Sequence, residues 1–250
     1  MHDDRLSGRV IAITGAASGV GLAAARACAE AGARLALLDR NSPALEQAEA
    51  QLAAQDVLRV IVDIADASSV AKAFATIGSR FGALHGLFNN AGVAPVNTSE
   101  RVEDISDESW AVAIQVNLTG CFLCCRAAIG LIESSGGGSI VNNASTAALV
   151  AEPGLEAYSA AKGGVVSLTR SLAVASAHRG VRLNALCPGL VHSPMASAIG
   201  SDLTSRLAAD TLLDVPGPEA LSGLVVYLLS DQSRYMTGSV LVIDGGLTSH

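Results

Sequence analysis

Short aliphatic runs alternate with longer stretches of helical period along nearly the whole chain, and this alternation restricts the fold more than any other feature. The runs lie at residues 10–14, 34–38, 57–62, 84–89, 139–143, 181–186 and 240–243. Helices are expected between them near 20–31, 43–54, 67–80, 108–133, 157–178 and 219–230. Strands joined by helical crossovers pair in parallel, so the expected class is α/β. We read residues 1–250 as a single Rossmann-type doubly wound domain, with a central seven-stranded parallel sheet flanked by helices. Half of the chain is hydrophobic but only 3% is aromatic, so the core must be Ala, Val, Leu and Ile, which suits close helix-on-sheet packing. Punctuation agrees: Ser42 before Pro43 reads as a helix N-cap, and Gly32, Gly82 and Gly180 stand where helices should end. Residues 190–218, rich in Ser, Pro and Gly, resist assignment and read as a mobile flap over a substrate.

Charge excludes several partners. Sixteen basic against 23 acidic residues give a net charge of −7, which repels polyphosphate strands, so no nucleic acid is expected. Basic residues are scattered singly, so no polybasic membrane patch is visible. The stretch MHDDRLSGRVIAITG has no signal-peptide core, and apolar runs are interrupted by Gly, Asn or charge before a bilayer is spanned; a cytoplasmic location with no membrane contact is expected. Five cysteines in a reducing compartment predict free thiols. Cys121, Cys124 and Cys125 lack a fourth ligand nearby, so they read as helix packing residues and no metal is expected.

After the first strand come Thr14, Gly15, Ala16, Ala17, Ser18, Gly19, Val20 and Gly21, and then an Ala-rich helix. Glycines there let backbone amides approach a pyrophosphate, and the helix N-terminus favours its charge. The spacing is Gly-x-x-x-Gly-x-Gly rather than the commoner Gly-x-Gly-x-x-Gly, so a turn that serves only strand-to-helix packing is the competing reading. Asp39 ends the second strand, 24 residues after Gly15, where a carboxylate can accept from both ribose hydroxyls and repel a 2′-phosphate. This favours NAD over NADP, although Arg40 next door could attract that phosphate.

Tyr158 and Lys162 are one turn apart at the start of a predicted helix and share a face. A phenol is a poor base at neutral pH, and a neighbouring ammonium stabilises its phenolate, which suits acid–base chemistry on an alcohol or carbonyl oxygen. Alone, such a pair is commonplace on surface helices. Together with the glycine loop, Asp39 and Ser145, the pattern resembles the short-chain dehydrogenase/reductase family from residue 9 to 246. Residues 14–21 match its Thr-Gly-x-x-x-Gly-x-Gly, 89–92 its Asn-Asn-Ala-Gly, 158–162 its Tyr-x-x-x-Lys, and Pro188 with Gly189 its Pro-Gly turn. Ser145 precedes Tyr158 by 13 residues, as the family's serine does, and Asn117 falls on the long fourth helix, where propensity disfavours it without a functional reason.

The resemblance implies that Tyr158 exchanges the proton, Ser145 hydrogen-bonds the reacting oxygen, Lys162 supports the phenolate and binds the nicotinamide ribose, and Asn117 holds a relay water. Hydride would pass between the nicotinamide and the substrate carbon. Gly15, Ser18, Gly19, Val20, Gly21, Asp39 and Arg40 would bind the cofactor. Asp63 and Ile64 would sit at its adenine, Asn90, Ala91 and Gly92 along the adenosine side, and Pro188, Gly189, Val191 and Ser193 around the nicotinamide. Ser18 stands where NADP-preferring members often carry a basic residue. Asn143 and Ala144 replace a small apolar residue and a serine of many members. Substrate contacts are expected from residues 93–96, from 146–155 and from the flap. Ala147, Ala148, Leu149, Val150, Leu155 and Met195 suggest a small-molecule secondary alcohol or ketone of apolar body, with Glu152 and His192 as polar candidates, His192 more plainly a solvated loop residue. Apolar Cys121, Phe122, Leu123, Val165, Val166 and Leu168 exceed what one sheet face needs and, with the resemblance, point to a homotetramer. The rival readings are a catalytically silent dinucleotide-binding sensor and an NADPH-dependent ketone or acyl reductase. A hydrolase is disfavoured because Ser145 sits in no Gly-x-Ser-x-Gly elbow.

Overall fold

The computed structural model describes residues 4–52, 56–94 and 101–249. Strands β1 (Val10–Thr14), β2 (Arg34–Asp39), β3 (Val57–Ile61), β4 (Gly86–Asn89), β5 (Gly138–Asn143), β6 (Val181–Pro188) and β7 (Val240–Ile243) form one parallel sheet in the order β3-β2-β1-β4-β5-β6-β7. The order reverses between β1 and β4, which opens a crevice at their C-terminal ends. The central strands are buried on both sides, because each alternates between two packed layers, whereas the edge strands β3 and β7 are only partly covered. Ala12, Leu38, Leu87 and Ile140 face Phe74 and Ile77 of helix α3 (Ala67–Phe81) and Leu123 and Ile132 of helix α5 (Gly120–Ser134). Ile13, Leu37, Phe88 and Val141 face Ala24, Ala25 and Cys28 of α1 (Gly19–Glu30) and Val225 and Leu229 of α9 (Ser222–Leu229). Each aliphatic side chain so buried contributes about 1.5–3 kcal/mol of transfer free energy, and the alanines of α1 let it lie close on the sheet.

Local departures from the expected elements have physical causes. The N-cap of α2 (Ser42–Glu49) is Asn41, not Ser42: the Asn41 side chain accepts from Ala44 N at 3.1 Å. That helix stops at Glu49 rather than 54, with Ala50 as its cap; Ala53 and Ala54 lie outside the described residues. The long fourth helix is two α-helices, α4 (Asp107–Ile114) and α5, joined by a π-helical turn at Gln115–Thr119. The continuous helix is long and apolar enough by length and composition to cross a membrane, but half of its apolar window is buried, with α5 against α3 and β4. Residues 190–218 are partly helical: residues 211–217 belong to no helix or strand, but the segment includes α7 (Pro194–Ala198) and α8 (Ser201–Asp210). These pack as a separate small core, in which Leu203 and Leu207 meet Ala147 and Leu155 beside α6 (Glu156–Ser176).

Cys121, Cys124 and Cys125 are buried on α5, and burial pushes the Cys28 thiol up to about 12 and the Cys124 thiol up as well. Asn89 Nδ2 donates to Cys121 O at 2.9 Å and to Asn142 Oδ1 at 3.1 Å, and Asn142 Nδ2 reaches Thr169 Oγ1 at 3.0 Å. A polar seam thus ties β4, β5, α5 and α6 directly beneath the crevice, with its groups paired inside an apolar layer.

Candidate active site

A cleft of about 380 Å³ runs along the C-terminal ends of the strands. At one end stands the turn from β1 into α1. Gly15 takes φ +66°, and a Cβ there would meet Asn90 Nδ2 and Ala91 Cα at 3.0 Å; at Gly21 a Cβ would lie 2.0 Å from Gly15 O. Only glycine at both positions lets the loop fold onto the helix start and the β4 end at once. Ser18 is the N-cap residue of α1, in extended backbone, with no side-chain cap hydrogen bond among the described residues, so the first helical N–H groups face the cleft side uncapped by it. Asp39 braces this loop: its Oδ2 accepts from Ala17 N at 3.2 Å and its Oδ1 from Asn41 N at 3.0 Å. Arg40 is exposed and lines the same end.

Thr14, which the sequence places at the head of the loop motif without a role of its own, is the knot between the strands. It is fully buried, and its Oγ1 accepts from Asn90 N at 2.9 Å and from Ala91 N at 3.0 Å. Asn90 Nδ2 donates to Thr14 O at 3.1 Å, and Asn143 Nδ2 donates to Asn90 Oδ1 at 2.9 Å. Lys162, only 3% exposed, donates from Nζ to Asn143 O at 2.7 Å, and its ammonium lies 5.5 Å from the centre of the Tyr158 ring. A chain of hydrogen bonds therefore runs from the glycine loop across three strand ends to the lysine.

Of the predicted catalytic residues, Ser145, Tyr158 and Lys162 line the cleft. Ser145 follows β5 and caps a short 3-10 turn, Oγ accepting from Ala147 N at 3.2 Å. Asn117 stands behind the cleft rather than on its wall. Its Oδ1 accepts from Val93 N at 3.0 Å, its Nδ2 donates to Val93 O at 3.2 Å, and a Cβ on Gly92 would touch both its Oδ1 and Lys162 Nζ, at 2.6 and 3.6 Å. The π turn is the local device here: it widens the backbone at an asparagine whose side chain clamps the neighbouring loop.

The predicted cofactor contacts fall together, with one exception. Gly15, Ser18, Gly19, Val20, Asp39, Arg40, Asp63 and Ile64 line the cleft's β1–β3 side; Asn90, Ala91 and Gly92 line its middle; Pro188, Gly189, Val191 and Ser193 line its β6 side. Gly21 is a packing glycine beneath the loop and not part of the wall. Two observations fit a bound dinucleotide: the loop leaves no room for side chains at Gly15 and Gly21, and Asn143 Oδ1, although buried, has no hydrogen-bond partner among the described residues.

Beyond Tyr158 the wall turns apolar. Ala147, Val150, Leu155 and Met195 line it as expected, joined by Ile199, Leu207 and Leu247, which no sequence signal singled out. Leu149 instead points outward, 44% exposed, and Ala148 packs into the core; His192 is exposed and off the wall. Val93 and Ala94 line the cleft, while Pro95 and Val96 lie outside the described residues. Glu152 lines the wall and is held by Arg206 of α8 at 2.9 Å, an ion pair that fastens the flap to the segment after Ser145. Among the described residues no cluster of His, Cys, Asp and Glu is placed to hold a metal.

A family model described as enoyl-(acyl carrier protein) reductase matches residues 15–248. The chain is 38% identical to 2-(S)-hydroxypropyl-CoM dehydrogenase 3 of Xanthobacter autotrophicus, over 98% of this chain and 99% of that one. It is also 38% identical to a protein of the same organism named inactive 2-(S)-hydroxypropyl-CoM dehydrogenase 2, over 90% and 99%. An NADP-dependent (R)-specific alcohol dehydrogenase of Lentilactobacillus kefiri is 34% identical over 98% and 99%. Among solved structures, a short-chain type dehydrogenase/reductase from Mycobacterium marinum superposes with a TM-score of 0.92 at 32% identity, covering 99% of this chain and 98% of that one. Fold, matched model and relatives agree that this chain belongs to the short-chain dehydrogenase/reductase family, the nicotinamide-dependent oxidoreductases that act on CH–OH groups.

Proposed function

We propose that the protein is an NAD-dependent oxidoreductase that interconverts a secondary alcohol and a ketone of largely apolar body. The observation that carries this reading is that Tyr158, Ser145 and Lys162 open onto one cleft whose far end is the Gly15 loop and Asp39. Bound nicotinamide supplies the hydride donor or acceptor. The chain supplies the rest. Tyr158 moves the proton at the substrate oxygen, Ser145 Oγ donates to that oxygen, and the Lys162 ammonium stands buried beside the Tyr158 ring. Asn117 fixes the Val93 loop and, with it, the side of the site where a relay water would stand. The apolar wall from Ala147 to Leu207 excludes water from the reacting carbon, and residues 190–218 serve as the substrate flap of one catalytic domain.

Asp39 favours NAD: it stands at the β2 end with a carboxylate that repels a 2′-phosphate, against which, among the described residues, Arg40 offers the positive charge in this part of the wall. Among the Xanthobacter relatives, the protein named inactive is as similar to this chain as the dehydrogenase, which keeps a silent dinucleotide-binding protein as the second reading. One assay separates them. Secondary alcohols are offered with NAD and with NADP, and absorbance of the reduced cofactor is followed in wild type and Tyr158→Phe. Turnover with NAD, falling about 10²–10⁴-fold in the variant with dinucleotide affinity unchanged, is the expected result. Equal turnover in both proteins would sink the mechanism; NAD binding without turnover of any alcohol favours the silent reading.

Association as a homotetramer now rests on different residues from those the sequence suggested. Cys121, Leu123, Val165 and Val166 are buried within the chain itself, and of the six only Phe122 is exposed. Trp110 and Val112 on α4 are exposed apolar residues as well, as is Val174 on α6. Light scattering should give the mass of four chains, and a monomer would remove this part of the proposal.

A further inference from the structure

Asn143 lines the cleft at a position where many members of the family carry a small apolar residue. Its amide orientation is fixed by elimination. Asn90 faces two carbonyls, Thr14 O at 3.1 Å and Gly15 O at 3.4 Å, so its Nδ2 must lie there and its Oδ1 must face Asn143. Asn143 therefore turns Nδ2 toward Asn90, at 2.9 Å, and its Oδ1 points the other way. That oxygen is buried yet has no partner among the described residues, and the residue lines the cleft between Asn90 and Ser145. Its own backbone carbonyl already holds Lys162 Nζ at 2.7 Å. A buried amide oxygen is costly to leave unpaired, and no described residue donates to it.

We propose that Asn143 Oδ1 is an acceptor for a hydroxyl of the ribose on the nicotinamide side of the bound dinucleotide. Asn143 is then a positioning residue as well as a contact: one amide grips the phosphate loop through Asn90, the bound ribose through Oδ1, and the lysine through its carbonyl. Filling the ribose position completes the hydrogen bonding of the residue that holds Lys162. A small apolar residue at this position, as in many members of the family, makes neither side-chain bond. The inference rests on the dinucleotide reading above, but its test does not require turnover.

Calorimetry with ADP and with ADP-ribose isolates the contact, because only ADP-ribose carries the second ribose. Wild type should bind ADP-ribose more tightly than ADP. In Asn143→Leu that preference should shrink about fivefold to tenfold, the worth of one hydrogen bond, while ADP affinity, which reports only the lost bond to Asn90, falls equally in Asn143→Leu and Asn143→Asp. Asn143→Asp keeps an acceptor oxygen and breaks the bond to Asn90; it should retain the preference. ADP binding reports that each variant is folded, and Asn143→Ala replaces the leucine variant if that one is not. An undiminished preference in Asn143→Leu, or equal weakening of both ligands, would overturn the contact and leave the dehydrogenase reading intact. Wild type that binds neither ligand would remove the dinucleotide reading itself, and this inference with it.

Discussion

The two ends of the sheet use polar groups in opposite ways. At the N-terminal end, Arg182 of β6 donates to Ser233 O, Ser233 Oγ, Met236 O, Leu228 O and Ser230 O, gathering the carbonyls where α9 stops. His85, just before β4, accepts from Val10 N at 2.9 Å, and burial, with Arg9 and Arg34 nearby, pushes its imidazole below the usual range, so it stays neutral and able to accept. Arg9 pairs with Asp231. There the chain satisfies itself. At the C-terminal end the same strands finish in Thr14, Asn90 and Asn143, which hold each other but leave Asn143 Oδ1 without a partner among the described residues, beside a loop with no room for side chains at Gly15 and Gly21. One end is built for stability, while the other keeps part of its hydrogen bonding for a ligand.

Two substitutions test that division. Arg182→Leu removes the cation from five acceptors, so the largest effect is expected there: about 3 kcal/mol off unfolding free energy in urea, with dinucleotide affinity of the folded protein unchanged. A similar loss of affinity in that variant would break the comparison. Gly21→Ala should do the reverse. A Cβ placed 2.0 Å from Gly15 O displaces the loop, and dinucleotide binding should weaken by about 2 kcal/mol, read by calorimetry, with a smaller shift in the unfolding midpoint. Were Gly21→Ala to lower stability more than affinity, the loop would belong with the scaffold rather than with the site.

What the sequence made legible is whatever depends on local period or on fixed spacing. Strand positions followed from aliphatic runs, and every β-strand lies within two residues at each end of its expected place. Helix ends at Gly82 and Gly180 followed from the need for positive φ, which both adopt at 70°. The gathering of Ser145, Tyr158 and Lys162 on one wall was foreseen by spacing and resemblance together. What escaped are features set by residues far apart in the chain. No local pattern says that Lys162 will bond to the carbonyl of Asn143, or that Glu152 will pair with Arg206. Leu247 joins the wall only because the chain after β7 returns to the cleft. Asn117 was suspected for being unfavourable in a helix; that it sits in a π turn could not be read from propensity, since the turn answers to the Val93 loop it clamps.

The position of β1 between β2 and β4 has a consequence for the chain as it is being made. Gly15 and Asp39 emerge early, yet the wall opposite them is Pro188 to Ser193, contributed by a strand that must first cross over β4 and β5. At roughly 5–20 residues per second, on the order of ten seconds or more separates the synthesis of the glycine loop from that of its facing wall. A dinucleotide that stabilises only the completed cleft can give the nascent chain little help during that interval. The early strands must therefore survive on aliphatic packing alone, which is a reason for a first βαβ unit as rich in buried Ala, Leu and Ile as this one.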